Sequence, residues 1–531
     1  MSMLRRWSHS LSARKVLVTT PIFYVNGNPH IGHAYSGLLC DAYSRWLRMQ
    51  GDQVVFSTGT DEHGSKVEKA ANGKDVKEYC NKISSSFKNL FTCLGTSHDV
   101  FVRTTDDRHK QTVQALWQRL VNGGYLVQGE HEGWYCQSDE AFLTDQQVGE
   151  NPDGKRVSLE SGHAVEWLKE ANYLFQLPKF TDRILEWLDT TAVYPPARSN
   201  EIKGFLSAHD IRDLSVSRPS DRVPWAIPVP GDASQSVYVW LDALTNYLTV
   251  AGIQVSPDPT VPVHWGFDKV VHVVGKDILR FHTLYWPSFL MAAGIDPPNR
   301  VIVHAHWTVN KVKMSKSLGN VMCPVELLKK YELDAVRYTL LRNGGLVDDA
   351  DFSEDSLKSR RKDELANTYG NLLSRSTANR IMPQTKWPDV QNIEDIPLVK
   401  NHVRPLPGVV DAYYQDFEFS KGIEAVVHLL YESNRVFTEE EPWVLIKQLK
   451  RNPENQEELQ LKLNSIMYSM LESLRVSSLL LLPIIPDTCN KVLDSLGVSS
   501  EERSFKDATH PKNYSGTEFK RLATPLFPIL E

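Results

Sequence analysis

Val16-Leu-Val-Thr-Thr20, followed by Pro29-His-Ile-Gly-His-Ala-Tyr-Ser-Gly-Leu-Leu-Cys-Asp-Ala-Tyr-Ser-Arg-Trp-Leu-Arg48, is the part of the chain that decides the fold. The short apolar run predicts a buried strand, and the longer stretch predicts an amphipathic helix over residues 30–50 with proline near its first turn. A second apolar run, Gln53-Val-Val-Phe-Ser57, predicts another strand directly after the helix. Two strands joined by one helix form the βαβ unit of an open, parallel α/β sheet.

The residues that begin this helix carry chemistry as well as structure. A helix N-terminus exposes free N–H groups and a partial positive charge, and it therefore binds phosphate readily. His30 and His33 add two ring donors at that position, although the His-x-Gly-His pattern alone also fits an ordinary helix start. The pattern predicts a phosphate site between the first strand and the first helix.

Composition limits the class of protein. The chain has 531 residues, of which 41% are hydrophobic and 23% charged, as is typical of a globular protein with roughly two to four domains. Its net charge of −6 gives no overall basic signature for nucleic acid, but it is compatible with a local basic face. No apolar run reaches the roughly 20 residues that a membrane-spanning helix needs. The spacing of the six cysteines along the chain shows no pattern of pairs, which favours reduced thiols over disulfides.

The first residues differ from the rest of the chain. Residues 1–15 contain four basic side chains, four serines and no acid, and Leu4, Trp7 and Leu11 would share one face of a helix. This composition is typical of a mitochondrial targeting segment, although it also fits a disordered basic arm. We expect import into the mitochondrial matrix.

Strand signals return far downstream. Val270-Val-His-Val-Val-Gly275 and Val301-Ile-Val-His304 predict further strands followed by helices. Residues 126–235 contain many turn-forming residues and several tryptophans. It predicts an insertion that splits a nucleotide-binding domain into two halves, residues 16–125 and 236–325.

The last third of the chain is predicted to be helical. After a linking segment at 326–360, residues 361–531 contain three long stretches with apolar residues at helical spacing: Asp363 to Arg380, Ser420 to Thr438 and Glu457 to Leu482. A helical bundle is the simplest interpretation of this region.

Asn310-Lys-Val-Lys-Met-Ser-Lys-Ser-Leu-Gly-Asn320 is the second stretch with chemical character. Its three lysines and two serines form a cationic loop that suits charge developing on a phosphate leaving group. Taken alone, this stretch of residues also fits a solvated basic loop.

His30-Ile-Gly-His33 and Lys313-Met-Ser-Lys-Ser317 match the two signatures of the class I aminoacyl-tRNA synthetases. From about residue 15 to its end, the chain resembles the methionyl-tRNA synthetases of mitochondrial type. The resemblance is carried by Thr20-Pro-Ile-Phe-Tyr-Val-Asn-Gly-Asn-Pro-His-Ile-Gly-His33, Gly59-Thr-Asp-Glu-His-Gly64, Tyr238-Val-Trp-Leu-Asp-Ala-Leu-Thr-Asn-Tyr247 and Gly275-Lys-Asp-Ile-Leu-Arg-Phe-His282. It implies an α/β fold in which a split Rossmann-like parallel-sheet catalytic domain with a connective insertion precedes an α-helical anticodon-binding bundle.

The resemblance also implies an enzyme, a methionine–tRNA ligase that uses ATP and Mg²⁺ to join L-methionine to tRNA(Met) through methionyl-adenylate. It makes four residues catalytic: His30, His33, Lys313 and Lys316. It assigns ATP to His30, Gly32, His33, Gly275, Asp277 and Lys316.

A methionine pocket has a chemical signature of its own. The thioether of methionine is polarizable, packs well against aromatic edges and gains little from hydrogen bonds. A pocket for it should be mostly aromatic and apolar, with one acid for the ammonium group. The resemblance implies that this pocket is lined by Tyr24, Trp240, Tyr247, Ile278 and His282, with Ile22 nearby and Asp61 facing the α-amino group.

The resemblance assigns anticodon reading to Asn371, Arg375 and Trp443. The first two lie four residues apart and share a helix face, where an amide and a guanidinium can read base edges. Trp443 offers a plane on which an unstacked base can stack, although it also fits a buried position at a helix start.

Many members of the family hold zinc in Cys-x-x-Cys knuckles, and this chain departs from that pattern. In Trp134-Tyr-Cys-Gln-Ser-Asp-Glu-Ala-Phe-Leu143, Asp139 stands where a partner cysteine of Cys136 is expected. We therefore expect no zinc, and packing of Trp134, Tyr135 and Phe142 in place of the metal.

Other functions stay open at this point. A class I synthetase for leucine, isoleucine or valine would carry a larger editing domain, and one for cysteine would need a zinc-thiolate site. A small-molecule nucleotidyltransferase of the His-x-Gly-His type would not need the helical third of the chain. A non-enzymatic tRNA-binding protein would not need Lys316. We expect a monomer, because we find no appended dimerisation or oligonucleotide-binding module.

Overall fold

The computed structural model describes residues 13–137, 141–143, 145–159, 161–309, 311–313, 322–451, 455–510 and 513–528. Most of the predicted targeting segment, residues 1–12, lies outside these ranges. Arg14 pairs with Asp52 at 2.6 Å, and Lys15 begins the first strand. The folded chain thus includes the last two residues that the sequence assigned to the targeting segment.

The predicted βαβ unit at the start of the chain is confirmed. This first region contains β1 (Lys15–Tyr24), α1 (Ile31–Met49), β2 (Gln53–Asp61), α2 (Ser65–Ala71), α3 (Val76–Cys93), β3 (Val100–Arg103) and α4 (Asp107–Asn122). The middle of β1 is buried on both faces, as a central strand of a parallel sheet requires.

The middle region is built from short, mostly antiparallel strands. It contains β4 (Leu126–Cys136), β5 (Ala141–Leu143), β6 (Val148–Glu150), β7 (Arg156–Ser158), β8 (Glu166–Phe175), α5 (Thr181–Leu188), β9 (Val193–Tyr194), α6 (Pro196–Ala208), β10 (Leu214–Ser215), β11 (Ser217–Pro219), β12 (Pro228–Val229) and β13 (Asp232–Val237). Its longest pairing joins β4 to β8 from Leu126↔Phe175 to Tyr135↔Glu166.

The chain then returns to alternating helices and strands. The elements are α7 (Val239–Val250), β14 (Lys269–Gly275), a π-helical turn (Phe281–Tyr285), α8 (Trp286–Ala292), β15 (Arg300–His304), β16 (Trp307–Val309), β17 (Val312–Lys313), α9 (Pro324–Leu328), α10 (Leu333–Asn343), β18 (Ala350–Phe352) and α11 (Glu354–Arg360). The two strands that the sequence predicts here, at 270–275 and 301–304, are both confirmed.

One six-stranded parallel sheet unites the first and third regions. Its order is β3-β2-β1-β14-β15-β9. Strand β1 pairs with β2 on one side and with β14 on the other, so the strand order reverses between β1 and β14. Ligands of open α/β sheets bind at such a point, outside the carboxyl ends of the strands.

The edge strand β9 was not predicted. Val193 and Tyr194 lie in the region that the sequence assigns to a turn-rich insertion, yet they pair in parallel with Val301 and Ile302 of β15. Two residues followed by Pro195 and Pro196 are too few to show strand periodicity. The insertion therefore contributes to the sheet that it interrupts.

The three predicted helical stretches of the last third are also confirmed. They correspond to a π-helical segment (Arg361–Gly370) continued by α12 (Asn371–Ser376), to α14 (Phe419–Glu439) and to α16 (Gln456–Leu481). Around them lie α13 (Leu406–Gln415), α15 (Pro442–Leu449), α17 (Pro486–Ser495) and α18 (Phe505–Thr509). In the part of the chain that the structure describes, no helix is both long and apolar enough to cross a bilayer.

A buried ion pair joins the linking segment that precedes the helical region to the first helix of the sheet domain. Arg337 of α10 donates to Asp41 of α1 at 2.7 Å, and both side chains are fully buried. Burial alone would raise the pKa of Asp41, but Arg337 and Arg45 outweigh it and hold that pKa below its usual value. Three further Arg337 N–H groups donate to the carbonyls of Leu94, Pro483 and Ile484.

Replacing Arg337 by methionine tests this junction. Arg337→Met leaves Asp41 as a buried charge with one cationic partner fewer, so we expect the free energy of unfolding to fall by about 3–5 kcal/mol. Urea denaturation followed by circular dichroism measures the loss. Arg435→Met is the matched control, because Arg435 lies on the surface of α14 and pairs there with Glu432 and Glu439. Equal shifts in the two variants would show that the junction adds no stability.

Candidate active site

A pocket of about 380 Å³ lies at the carboxyl ends of β1 and β14, where the strand order reverses. Its walls come from the ends of β1 and β2, the start of α1, one face of α7 and the loops after β14 and β15. Twelve residues singled out in the sequence line it: Ile22, Tyr24, His30, Gly32, His33, Asp61, Trp240, Tyr247, Gly275, Asp277, Ile278 and His282.

Two histidines form the start of α1. The Nδ1 atom of His30 accepts the N–H of Gly32 at 3.1 Å, and the Nδ1 atom of His33 accepts the N–H of His30 at 3.1 Å. The two rings stack with centroids 3.8 Å apart. Because Nδ1 is an acceptor in both rings, each neutral imidazole carries its hydrogen on Nε2. The helix cap thereby fixes which ring nitrogen is the donor.

The ring of His33 is also held from behind. Phe23 and Phe87 each contact it edge-on, with ring centroids 5.0 Å away. The aromatic ring edges and the backbone cap together fix the orientation of His33. A donor that is already oriented costs little further ordering when it binds an oxyanion.

The deeper end of the pocket is aromatic. The Nδ1–H of His282 donates to the carbonyl of Ile278 at 3.0 Å, so its Nε2 accepts the hydroxyl of Tyr247 at 2.8 Å. Burial lowers the pKa of His282 to about 4. The ring of Trp240 stacks on Phe281 with centroids 3.6 Å apart. These rings form a mostly apolar niche, in which the Tyr247 hydroxyl and both ring nitrogens of His282 are already paired.

One buried carboxylate faces this niche. Asp61 ends β2 and lines the pocket with 5% of its surface exposed. It is the register partner of Tyr24 at the end of β1. The Tyr24 hydroxyl donates to the carbonyl of His63 at 2.9 Å. An acid beside an aromatic niche suits a small molecule with an ammonium group and an apolar side chain.

The opposite end of the pocket is more polar and more open. Gly275 ends β14, and a Cβ atom there would come within 2.5 Å of Asp277 Oδ1, so a larger residue would displace the Asp277 carboxylate. The carboxylate of Asp277 is 61% exposed and lies 3.1 Å from Nε2 of His306. Lys276 pairs with Asp349 at 2.6 Å and steadies the same loop.

Sequence reasoning missed several lining residues. His304 lines the pocket from the end of β15, where its Nδ1–H donates to the carbonyl of Ala305 and its Nε2 lies 2.8 Å from the Ser36 hydroxyl. Burial lowers the pKa of His304 to about 4. Other lining residues with polar atoms that were missed include Asn26, Lys66, Asn246, His306 and Trp307. The signal for the two histidines was their place at the carboxyl end of a strand of the parallel sheet and two residues beyond it.

The predicted lysine loop is described only at its edges. Lys313 lies in β17, whose backbone pairs with Thr308 of β16, and residues 314–321, with Lys316, lie outside the described residues. Met322 follows this segment, and its carbonyl accepts the N–H of Ile31, the first residue of α1. The chain thus resumes in contact with the histidine cap.

The three residues predicted to read an anticodon lie on the helical bundle. Arg375 donates to the Thr438 hydroxyl at 3.0 Å, and its guanidinium lies 4.5 Å from the ring centre of Phe437. Trp443 is partly buried, with its ring 6.1 Å from that of Phe437. Asn371 is exposed one helical turn before Arg375. Phe437 therefore brings Arg375 and Trp443 to one place.

Aromatic packing supports the hairpin where zinc was not expected. Tyr135 and Phe142 are register partners in β4 and β5, their rings lie 5.0 Å apart, and the Arg218 guanidinium covers both. Trp134 packs instead on Trp167. Across the described residues no group of three or more His, Cys, Asp or Glu side chains could hold a metal, but Asp139 lies outside them. The expectation of no zinc stays a prediction.

Comparisons with known proteins agree with this geometry. Residues 16–377 match the family described as tRNA synthetases class I (M). The chain is 46% identical to a probable mitochondrial methionine–tRNA ligase of Dictyostelium discoideum, over 94% of this chain and 88% of that protein. It is 41% identical to the mitochondrial methionine–tRNA ligase of Homo sapiens, over 97% and 90%. A solved Mycobacterium tuberculosis methionyl-tRNA synthetase in complex with methionyl-adenylate superposes with a TM-score of 0.88 at 34% identity, covering 97% of this chain and all of that one.

The buried histidine of the niche predicts a pH dependence of stability. Unfolded histidine takes up a proton near pH 6.5, whereas folded His282 does so only at about 4. Between these values unfolding binds a proton, so the free energy of unfolding falls as the pH falls. His282→Gln should flatten this dependence by up to about 1.4 kcal/mol per pH unit, the contribution of one proton. Denaturant titrations at pH 5 and 6 measure the slope.

The matched control is His264→Gln, because His264 is exposed. That variant should keep the slope of the unaltered chain. An unchanged slope in His282→Gln would mean that His282 does not stay neutral in the folded protein.

Proposed function

The chain belongs to the methionine–tRNA ligases of class I, and from this premise we propose how its pocket joins L-methionine to tRNA(Met) through methionyl-adenylate. The alternatives that the sequence left open give way to the methionine enzyme, because relatives that bear its name match almost the whole chain. The observation that carries the proposal is one pocket with a histidine-capped helix start at one end and an aromatic niche with an acid at the other.

Methionine binds in the niche. Its thioether packs against the rings of Trp240, Tyr247 and His282, with Ile278 and Ile22 beside it, and the carboxylate of Asp61 receives the ammonium group. The hydroxyl of Tyr247 donates to His282, so neither group offers an unpaired polar atom to the side chain. A polar side chain of similar size would leave its own hydrogen bonds unmade there, and this favours methionine.

Adenylate formation needs no nucleophile from the protein. A carboxylate oxygen of methionine attacks the α-phosphorus of ATP, a new P–O bond forms, and the bond to the leaving pyrophosphate breaks. Catalysis is then a matter of position and charge. The Nε2–H donors of His30 and His33 and the N-terminus of α1 face the phosphates, while Gly32, Gly275 and Asp277 line the nucleotide end.

The lysine loop stabilises the leaving group. Lys316, with Lys313 beside it, closes on the pyrophosphate as its charge develops. The contact between Met322 and Ile31 supports this, because it returns the chain to α1 directly after the loop. No cluster of three acidic or imidazole ligands gathers among the described residues, so Mg²⁺ would arrive on the triphosphate. Bound there, it supplies charge neutralisation on the phosphate oxygens.

Transfer to tRNA follows in the same pocket. The 2′-hydroxyl of the terminal adenosine attacks the adenylate carbonyl, an ester forms, and AMP leaves with the electron pair of the broken bond. Selection of the tRNA happens on the helical bundle, where Asn371 and Arg375 read base edges and Trp443 stacks a base.

This assigns a task to each part of the chain. Residues 16–125 and 236–325 form the catalytic domain, 126–235 the connective insertion, 326–360 the link that follows the lysine loop and 361–531 the anticodon-binding domain. The relatives are named mitochondrial enzymes, and the chain is of that type. Its place is the mitochondrial matrix, where it acts as a monomer.

The lysine loop can be tested by pyrophosphate exchange into ATP. Methionine alone among the twenty amino acids should support exchange. Lys316→Ala should lower the methionine-dependent rate by about two to three orders of magnitude, since one charge that acts on the transition state is lost. Methionine affinity, measured by calorimetry, should change little.

Lys329→Ala is the control, because Lys329 directly follows α9, close after the loop, and pairs with Glu326 on the surface. It should exchange at the normal rate. Exchange with leucine instead of methionine would refute the assignment of substrate, and equal losses of affinity and rate in Lys316→Ala would refute the role of the loop.

The bundle can be tested separately from the pocket. Trp443→Ala should lower charging of tRNA(Met) by about tenfold or more, the loss expected when one base loses its stacking partner, and should leave pyrophosphate exchange near normal. Tyr431→Ala removes an exposed aromatic ring of α14 and should affect neither assay. If exchange collapses together with charging in Trp443→Ala, Trp443 is a core residue.

A further inference from the structure

A buried cluster of three ionisable side chains lies behind the pocket. Asp242 of α7 receives His63 Nδ1 on one carboxylate oxygen and His109 Nε2 on the other, both at 2.7 Å. His63 follows β2, and His109 belongs to α4. All three side chains are at least 95% buried. The pocket is lined by neighbours of Asp242 on α7, such as Trp240, and Asp242 itself lies behind them.

The hydrogen bonds fix the protonation of this cluster. Burial alone would raise the pKa of Asp242, but His63 and His109 outweigh it and lower that pKa to about 2. Asp242 is thus a carboxylate that accepts from both rings. The Nδ1 atom of His109 lies 3.0 Å from the hydroxyl of Thr249, also on α7. His109 therefore spans two turns of one helix and holds the Asp242 carboxylate in place.

His63 extends the cluster to the opposite wall of the pocket. Its backbone carbonyl accepts the Tyr24 hydroxyl at 2.9 Å, and it lies two residues after Asp61. On its other side, Gly64 donates its N–H to the carbonyl of Trp225, and the Trp225 indole donates to the carbonyl of Glu62 at 2.6 Å. The segment from Asp61 to Gly64 is thus anchored in two directions, and Asp242 is its anchor to α7.

The two walls recognise different parts of the amino acid. In the proposed site, Asp61 stands on the side of the ammonium group, with Tyr24 as its register partner, and Trp240 and Tyr247 on α7 stand on the side of the thioether. A ligand that must touch both walls at once depends on their separation, because displacement by a fraction of an ångström loses contacts on one of them.

We propose that Asp242, acting through His63, is a positioning residue that sets the distance between the two walls of the methionine niche, and that His109 orients Asp242. This inference rests on the proposed methionine site. It assigns a role in substrate affinity to three side chains that do not touch the substrate. The nucleotide end of the pocket, built on α1 and on the loop after β14, is independent of them.

Two pairs of amide substitutions test the geometry. The side-chain nitrogen of asparagine matches histidine Nδ1 in its number of bonds from Cβ, whereas that of glutamine matches Nε2. His63 contacts Asp242 through Nδ1, and His109 does so through Nε2. His63→Asn and His109→Gln should therefore keep the hydrogen bond, and His63→Gln and His109→Asn should lose it.

The readout is the KM for methionine and, separately, for ATP in pyrophosphate exchange. We expect the methionine KM to rise about tenfold or more in His63→Gln, His109→Asn and Asp242→Asn, the loss typical of one hydrogen bond to a buried charge. It should rise about threefold or less in His63→Asn and His109→Gln, and the ATP KM should change by less than about threefold in all five variants. His264→Gln, at an exposed histidine, serves as the control.

Several results would overturn the inference. If the two substitutions at each histidine behave alike, the cluster fills space and does not position the walls. If the KM values for methionine and ATP rise together, its role is general stability. Asp61→Asn separates the two proposals: an unchanged methionine KM in that variant would refute the methionine site itself. Should Asp242→Asn fail to fold, the paired histidine variants still decide.

Discussion

The parallel pairing of β1 with β14 is the contact on which the rest of this molecule depends. Val16 pairs with Lys269 and Thr19 with His272, so the contact joins residues that lie 253 positions apart in the chain. A buried hydrogen bond of 2.9 Å between the Thr19 hydroxyl and His272 Nδ1 reinforces the pairing. Because β1 leads into the histidine cap and β14 into the Gly275 loop, this one pairing brings both of these parts of the pocket to the same edge of the sheet.

The start of α1 shows how the same groups can serve the fold and the chemistry. Ring nitrogens of His30 and His33 take the place of the usual serine or aspartate cap, because they accept backbone N–H groups that the helix would otherwise leave unpaired. Because Nδ1 accepts these hydrogen bonds, Nε2 of each ring carries the hydrogen and can donate it to a phosphate. The same hydrogen bonds stabilise the start of the helix and orient the rings for an anionic ligand. A substitution that removes either ring therefore affects both properties.

Much of the fold and of the pocket could be predicted from the sequence. Runs such as Val16–Thr20 and Gln53–Ser57 show strand character within five residues. The stretches that carry the family resemblance contain the twelve lining residues singled out in the sequence. What escaped prediction depends on distant partners. The strand at Val193–Tyr194 is too short to show an alternating hydrophobic pattern, and it forms only because β15 lies beside it. Asp242 is one of the polar residues of a mostly apolar helix, and its role becomes visible only in the fold, where His63 and His109 contact it. The position of Lys316 relative to the pocket stays a prediction.

The junction at Arg337 has a consequence for how the sequence can diverge. Three of its acceptors are main-chain oxygens, at Leu94, Pro483 and Ile484, and every residue type supplies such an oxygen. The side chains at those three positions can therefore drift without disturbing the guanidinium, whereas Asp41 supplies a charge that only another acid could replace. Across related chains, positions 41 and 337 should accordingly change in concert, whereas the hydrogen bonds at positions 94, 483 and 484 require only a main-chain carbonyl.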